Sequence, residues 1–253
     1  MKNLIMVVTH KEEKLINNEL YRPIAVGSLC NNEKLTGYLK DNVGDNISSK
    51  NSSYCELTAL YWVWKNYMTG FDNIGLCHYR RYFTATAFHG KRFYLNNRLL
   101  TKYMKEFDVI LPKPFEFKIT VDKVYYELGC GKLHDLEILG QTISEIYPDY
   151  YEDFKEILKR KQLSYCNMFV LSSPNLSAYC EWLFHILNCL ESKIDISNYN
   201  QQERRVFGYL SEILLNVWVQ HNNLKIKYLN IAFSEKQLFK RIHRKIRKFF
   251  GIK

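Results

Sequence analysis

The sequence predicts an α/β fold in which a mixed sheet is flanked by helices. Short apolar runs typical of buried strands alternate with longer segments whose apolar residues recur every three or four positions, as in helices. The clearest strand-like runs lie at residues 4–8, 74–77, 109–111 and 168–171. The chain has 253 residues, of which 47% are hydrophobic, so it is long enough to bury a substantial core. This length accommodates either one α/β domain with insertions or two small domains. We expect one domain over residues 1–234, and the composition excludes a disordered chain.

Charge is unevenly distributed along the chain. The formal net charge is +10, but residues 236–253 contain eight Lys or Arg and no acid, which leaves the preceding residues nearly neutral. Neither an RNP-like aromatic pattern nor zinc-finger spacing is present, so the sequence gives no support for a nucleic-acid partner. Seven cysteines without a C-x-x-C pair indicate reduced thiols rather than disulfides or a zinc site.

The tail, residues 235–253, is predicted to form a basic amphipathic helix, because apolar residues recur every three or four positions between cations. This composition favours reversible binding to an anionic membrane surface; the alternatives are a helix packed on the domain and a nucleic-acid arm. No run approaches the ~20 apolar residues of a transmembrane helix, and the first apolar run is too short for a signal peptide. We therefore expect a cytoplasmic protein held peripherally on the inner face of the plasma membrane.

The first predicted strand, residues 4–8, is followed directly by three polar residues. These are Thr9, His10 and Lys11, and a second strand is predicted at residues 23–26. In open α/β sheets, ligands bind beyond the carboxyl ends of the strands. Thr9, His10 and Lys11 are therefore candidate ligand-binding residues.

Residues 41–51 form a polar segment rich in turn-forming residues. Asp45 and Asn46 lie in it, where side chains and backbone amides can hold a polar ligand. Lys50 and Asn51 follow, and the sequence suggests no structural role for them. We expect this segment to contribute to the ligand site.

The next segment, residues 52–66, is predicted to be helical. Glu56 stands three or four residues after Ser52 and Ser53, as in a capping box. Glu56 therefore has two interpretations, a helix cap or a catalytic carboxylate. Three aromatic residues of this helix are assigned mainly to core packing: Tyr61, Trp62 and Trp64.

The most informative stretch is GFDNIGLCHYRRYF, residues 70–83. A buried strand at residues 74–77 is followed at its carboxyl end by His78, Arg80 and Arg81. An adjacent arginine pair at this position indicates an anion such as a pyrophosphate, because guanidinium groups donate bidentate hydrogen bonds to phosphate. The alternative is a solvated strand end.

The remaining candidates follow in the second half of the chain. After a segment with a helix at residues 84–106, His134 and Asp135 follow two glycines and form either a functional pair or a helix N-terminal cap. Asn167 precedes the strand at residues 168–171, and Glu212 lies two turns into a helix that starts near Glu203. A last strand is predicted at residues 224–231.

Several blocks together resemble one known family. They occur in the order VVTHK, DNVGDNISSKN, YCELTALYWVWKN, GLCHYRRYF, FDVILPKP, HDL, CNMFV and FGYLSE. This combination is similar to a bacterial family long catalogued as a domain of unknown function and found in capsular, exopolysaccharide and O-antigen gene clusters. The resemblance covers about residues 4–231.

The resemblance implies a glycosyltransferase of the Rossmann-related GT-A type. Such an enzyme would move a sugar, often galactose, from a UDP-sugar donor to a saccharide or lipid-linked acceptor. The CNMFV block, with Asn167, also resembles a sugar-contact strand of GT-A enzymes. The implied donor-binding residues are Thr9, His10, Lys11, Asp45, Asn46, Lys50, Asn51, His78, Arg80, Arg81 and Asn167.

One departure from GT-A enzymes concerns the metal. Those enzymes usually bind a divalent cation through Asp-x-Asp, since carboxylate oxygens suit Mg²⁺ or Mn²⁺, and this chain contains no such motif. Either Arg80 and Arg81 neutralise the diphosphate, or His78 binds Mn²⁺ with a remote carboxylate such as Asp45 or Glu212. We favour an optional metal.

Glycosyl transfer also requires deprotonation of an acceptor hydroxyl. The candidate residues for this task are Glu56, His134, Asp135 and Glu212. A non-catalytic nucleotide- or carbohydrate-binding scaffold is the alternative function. A phosphoryl transferase is disfavoured, because the phosphate-binding pattern G-x-x-x-x-G-K is absent.

Overall fold

A computed structural model describes residues 1–13, 15–32, 35–86 and 92–233. Its strands are β1 (Asn3–Thr9), β2 (Tyr21–Ala25), β3 (Leu39–Lys40), β4 (Asn73–His78), β5 (Arg81–Thr86), β6 (Arg92–Tyr94), β7 (Val109–Pro112), β8 (Phe115–Glu116), β9 (Gln162–Leu163), β10 (Phe169–Ser172) and β11 (Ile226–Phe233). Its helices are α1 (Asn51–Tyr54), α2 (Leu57–Asn66), α3 (Asn97–Met104), α4 (Val121–Glu127), α5 (Leu133–Ile146), α6 (Tyr151–Lys159), α7 (Ser173–Glu191) and α8 (Val206–His221).

One mixed sheet organises the described residues. Its strand order is β3-β2-β1-β4-β10-β7-β11-β5-β6, while β8 and β9 form a separate pair. β1 is parallel to β2 and β4, and β7 is parallel to β11. β10 is antiparallel to both of its neighbours, β4 and β7. The start of β10 therefore lies at the same edge of the sheet as the carboxyl ends of β1, β2 and β4.

Both faces of the central sheet are covered. All seven residues of β1 are buried, and successive side chains of a strand point to opposite faces. Leu4 and Met6 join the larger core, which contains residues of α2, α5, α7 and α8. Ile5 and Val7 join a smaller core with Leu100 of α3. Near-continuous apolar strands are expected in a sheet covered on both sides.

Most sequence-predicted elements are confirmed. The runs at residues 4–8, 74–77, 109–111 and 168–171 correspond to β1, β4, β7 and β10. The hairpin of β5 and β6 was missed, because the sequence indicated only a helix between residues 84 and 106. All seven cysteines are free thiols, as predicted.

The predicted amphipathic helix at residues 235–253 lies outside the described residues. In the part of the chain that the structure describes, no helix combines the length and apolar character needed to cross a bilayer.

Candidate functional site

A cavity of about 990 Å³ opens at the carboxyl edge of the sheet. It lies beyond the ends of β1 and β4, where a ligand is expected in an open α/β sheet. Its lining comes from Val8, His10, Val26, Asn51, Ser52, Cys55, Glu56, His78, Tyr79, Arg80, Arg81, Cys166, Tyr199, Gln201, Arg204, Arg205, Tyr209 and Glu212.

The turn between β4 and β5 brings the arginine pair to this cavity. β4 ends at His78, and β5 begins at Arg81 and pairs back onto it. The Arg80 guanidinium lies 4.6 Å from the centroid of the Tyr79 ring, a contact that restrains its position. The Nε2 of His78 donates a hydrogen bond to the carbonyl oxygen of Cys166. Burial lowers the pKa of His78, and Arg81 lowers it further against the opposing charge of Glu56.

Two consecutive residues before β10 have left-handed backbone conformations. Cys166 has a φ of 81° and Asn167 a φ of 46°, although neither is glycine. Such conformations cost of order 1–3 kcal/mol each and persist only where the surrounding contacts hold them. Here the buried Asn167 donates hydrogen bonds from Nδ2 to Glu56 Oε1 at 2.7 Å and to Ser211 Oγ at 2.8 Å. The strained turn therefore holds Glu56 at the cavity through Asn167.

The predicted capping box at Glu56 is wrong. Cys55 has a φ of 53° and separates α1 from α2, so Ser52 and Ser53 belong to a different helix from the one that Glu56 precedes. Glu56 stands at the N-cap of α2 without a side-chain capping bond. Its carboxylate accepts the hydrogen bond from Asn167 instead.

Helix α8 brings a second carboxylate close to Glu56. Gly208, Ser211 and Glu212 are three and four positions apart, so they share one helix face. Gly208 allows α8 to approach α1, since a Cβ there would lie 3.1 Å from Cys55 Sγ. Burial and the charge of Glu56 raise the pKa of Glu212 to about 8, against the opposing effect of Arg81. A neutral carboxyl beside a carboxylate is an arrangement suited to acid–base chemistry.

Sequence reasoning missed one wall of the cavity, which we call the α8 wall. It consists of Tyr199, Gln201, Arg204, Arg205 and Tyr209. Both arginines belong to a 3-10 turn, Glu203–Arg205, that leads into α8. The sequence feature that could have identified this wall is the second arginine pair, Arg204 and Arg205, which one residue separates from the FGYLSE block.

The cavity is rich in positive charge. Burial lowers the pKa of His10, and the charges of Lys11, Arg80 and Arg205 lower it further. The His10 ring packs edge-on against Tyr79 at 5.2 Å. The four arginines among the described residues that line the cavity make it a favourable environment for an anionic ligand.

The structure brings together many of the sequence-predicted site residues. Those that line the cavity are His10, Asn51, Glu56, His78, Arg80, Arg81 and Glu212. Asn167 lies directly behind them, in contact with Glu56.

The other predicted donor-binding residues do not line the cavity. Asn46 bonds to the Gly44 carbonyl, and Asp45 accepts a hydrogen bond from the Tyr61 hydroxyl at 3.1 Å. Lys50 forms an ion pair with Glu191 at 2.5 Å. Thr9 is buried and bonds to the backbone of Lys11, which is exposed.

His134 and Asp135 also lie away from the cavity, and the capping interpretation is the one confirmed. Asp135 closes a capping box at the start of α5. This fully buried carboxylate accepts hydrogen bonds from Lys132 N at 2.7 Å, from the Tyr125 hydroxyl at 3.0 Å and from the Tyr199 hydroxyl. His134 is exposed and lies 3.3 Å from Glu137. Asp135 thus reaches the site only indirectly, by holding Tyr199.

Two of the three aromatic residues of α2, Trp62 and Trp64, pack in or against the larger core, as predicted. Trp62 Nε1 donates a hydrogen bond to the Val43 carbonyl at 2.6 Å. Tyr61 and Trp64 pack against Phe184 of α7, with ring centroids 5.1 and 5.8 Å away. None of the three lines the cavity.

The residues present do not fit a protein-bound divalent cation. Within the described residues, no three His, Cys, Asp or Glu side chains converge as metal ligands. His78 uses Nε2 to donate to a carbonyl oxygen, and Asp45 lies outside the cavity that contains His78 and Glu212. We therefore derive no chemical step through a metal.

Comparison with known proteins relates the chain to a family and a solved structure. A family model described as Domain of unknown function (DUF4422) matches residues 4–223. The apo structure of the WbbM bifunctional glycosyltransferase is similar, with a TM-score of 0.80 and 30% sequence identity over 92% of this chain and 45% of that chain. The present chain therefore spans less than half of that protein. Among curated proteins, no sequence matches. The chain belongs to the family described as Domain of unknown function (DUF4422), which this similarity relates to glycosyltransferases.

Proposed function

We propose that this chain is a glycosyltransferase of the GT-A type. It transfers a sugar, of the galactose type, from a UDP-sugar to a saccharide or lipid-linked acceptor in bacterial surface polysaccharide synthesis. The observation that supports this most directly is the cavity, where an arginine pair and two carboxyl groups meet beyond the ends of parallel strands. Two further observations support the same function. The parallel strands β2, β1 and β4 lie beside the antiparallel strand β10, and the chain is similar to a bifunctional glycosyltransferase.

Arg80 and Arg81 stabilise the leaving diphosphate in this proposal. Arg80 lies in the turn after β4, and Arg81 is the first residue of β5. The backbone of the sheet therefore fixes the positions from which both side chains extend. Guanidinium groups bind phosphate oxygens with two parallel hydrogen bonds, and they stabilise negative charge as it develops. This role requires no protein-bound cation.

Glu56 is the proposed general base. The acceptor hydroxyl oxygen bonds to the anomeric carbon while the bond from that carbon to the diphosphate breaks. The hydroxyl proton passes to the Glu56 carboxylate, and UDP leaves with the bonding electron pair. Glu212 holds a proton at neutral pH because its pKa is raised to about 8, so Glu56 is the carboxylate that remains to accept the acceptor proton. Asn167 fixes the direction of Glu56.

We also propose that residues 235–253 hold the protein on the anionic inner face of the membrane. Their support is the sequence pattern of alternating cations and apolar residues. This placement would bring the cavity close to a lipid-linked acceptor.

UDP release in the presence of UDP-sugars, including UDP-galactose, and simple saccharide acceptors tests the function. We expect turnover, and we expect Arg80→Ala and Arg81→Ala each to reduce donor binding or turnover roughly tenfold or more, since a charge-assisted bond contributes ~1.5–3 kcal/mol. Arg98→Ala, at an exposed position of α3, is the matched control. Unchanged UDP affinity and rate in both variants would contradict the proposal. UDP binding without turnover would support the scaffold alternative.

A further inference from the structure

The α8 wall carries a second arginine pair that the proposed reaction does not use. Arg204 and Arg205 line the same cavity as Arg80 and Arg81 but come from a different element, the 3-10 turn before α8. They are separated in sequence from the first pair by more than 120 positions. The cavity therefore contains two groups of cations contributed by two distant segments.

The α8-wall arginines are held in place by neutral partners. Arg204 donates from Nε to the Tyr199 carbonyl at 3.0 Å and from Nη2 to the Ser197 carbonyl at 3.3 Å. Arg205 donates from Nε to Cys55 Sγ and from Nη1 to the Tyr209 hydroxyl, both at 3.1 Å. No ion pair with a carboxylate involves either arginine among the described residues. Both guanidinium groups are thus held in place by neutral hydrogen-bond partners rather than by carboxylates.

The segment that carries this wall is itself fixed. The Tyr199 hydroxyl bonds to the buried Asp135, and Lys132 Nζ lies 4.1 Å from the centroid of the Tyr199 ring. Because Arg204 bonds to the Tyr199 carbonyl, this network restrains Arg204 as well. A cation held in place before binding loses little conformational freedom when an anion binds.

The charges in the cavity exceed what the donor needs. Among the described residues that line the cavity, four guanidinium groups face two carboxyl groups, and one of these, Glu212, holds its proton at neutral pH. A UDP-sugar contributes two negative charges from its diphosphate. One positive charge then remains in excess, and Arg204 and Arg205 are the cations not assigned to the diphosphate.

We propose that the acceptor is an anionic saccharide, whose carboxylate or phosphate group is bound by Arg204 and Arg205. This inference rests on the proposed function, because it assigns the α8 wall to the acceptor of that reaction. Tyr199 and Tyr209 would flank the sugar on the same wall, since aromatic side chains combine an apolar face with a hydrogen-bonding hydroxyl. The shared chemistry is one negative group on the sugar, from either a uronic acid or a sugar phosphate.

Calorimetry on the full chain tests the assignment with matched probes. Methyl glucuronide and glucose 6-phosphate are compared with their neutral counterparts, methyl glucoside and glucose, with and without saturating UDP. With UDP bound, we expect at least one charged probe to bind roughly tenfold or more tightly than its neutral counterpart, as a charge-assisted contact would give. Preference for the glucuronide would indicate a uronic acid, and preference for the phosphate would indicate a phosphorylated sugar.

Substitutions then locate the charge preference. The double substitution R204Q/R205Q, called the Gln–Gln variant, is expected to abolish the preference. The double substitution R204K/R205K should retain it, and Arg98→Gln should leave it unchanged. Retained UDP binding by the Gln–Gln variant shows that it is folded. Equal binding of charged and neutral probes by the unmodified chain would overturn the inference. Loss of the preference in Arg80→Gln, but not in the Gln–Gln variant, would overturn it too. Failure of UDP to bind the unmodified chain would instead contradict the proposed function, so the two failures can be told apart.

Discussion

Glu56 and Asp135 are both acids at the start of a helix, and they have different roles. Asp135 is fully buried and satisfies the first turn of α5 together with two tyrosine hydroxyls. Glu56 stands at the start of α2, makes no capping bond, and lines the cavity with its carboxylate bonded to Asn167. Glu56 is therefore the better candidate for a catalytic role, because its carboxylate does not cap its own helix and is held by a strained turn instead.

The largest effect that would test this comparison is on Glu56. Glu56→Gln keeps the size of the side chain and removes its basicity. We expect the transfer rate to fall by about 10²–10⁴, the usual contribution of a general base, with UDP affinity nearly unchanged. Single-turnover kinetics and UDP titration measure the two quantities. A rate within threefold of the unmodified chain would exclude Glu56 as the base.

Asp135 is expected to show the opposite behaviour. Asp135→Ala leaves the Tyr125 and Tyr199 hydroxyls and the Lys132 amide without their acceptor. Unsatisfied buried polar groups cost about 1–3 kcal/mol each, so the two buried tyrosine hydroxyls alone should lower the free energy of unfolding by roughly 2 kcal/mol or more. The transfer rate per folded molecule should change little. His134→Ala, at the exposed neighbouring position, is the control and should leave stability nearly unchanged; a large loss of rate without loss of stability would revive Asp135 as a catalytic group.

Asn167 links the strained turn to Glu56, and its substitution would sharpen the comparison. Asn167→Ala removes the hydrogen bond to Glu56 Oε1. We expect kcat to fall roughly tenfold, less than for Glu56→Gln, because a misdirected base retains its chemistry. If Asn167 acts only through stability, kcat at low temperature will equal that of the unmodified chain while the melting temperature falls. Asn167→Asp, which cannot donate from that position when ionised, is expected to resemble the Ala variant.

The smallest effect concerns the pH dependence of stability. The pKa of Glu212 is raised from 4.5 to about 8 in the folded state, so the folded protein binds a proton that the unfolded chain lacks between these values. The free energy of unfolding should therefore fall as pH rises through this window and level off above about 8. The slope should not exceed ~1.4 kcal/mol per pH unit, because Glu212 contributes at most one proton to the difference between the folded and unfolded states.

Glu212→Gln isolates this contribution. Burial lowers the pKa of His78 from its usual 6.5, so its contribution to the pH dependence is opposite in sign to that of Glu212, lies below pH 6.5 and is common to both proteins. Urea unfolding at several pH values should show a flatter dependence above pH 6.5 for the variant than for the unmodified chain. Identical curves would mean that Glu212 is ionised at neutral pH and would make it a rival base to Glu56.

Local sequence patterns were enough to predict the central strands and one part of the site. β1, β4, β7 and β10 follow from local apolar runs, because a strand buried on both faces must be apolar along its length. The carboxyl ends of β1 and β4 carry His10, His78 and the Arg80–Arg81 pair, and the position of these residues next to a strand end can also be read from the local sequence.

The rest of the site depends on tertiary packing, which brings residues distant in the sequence together. Glu56 and Asn167 are 111 positions apart in the sequence and form a hydrogen bond. They meet because Cys55, Cys166 and Asn167 have positive φ angles, and the sequence does not indicate these angles because none of the three is glycine. The turn-rich segment with Asp45 and Asn46, by contrast, bonds to itself and to α2 instead of reaching the cavity. The α8 wall is positioned by the packing of α8 on α1, where Gly208 allows close approach. Local patterns report burial and turns, but only packing determines which distant polar groups meet.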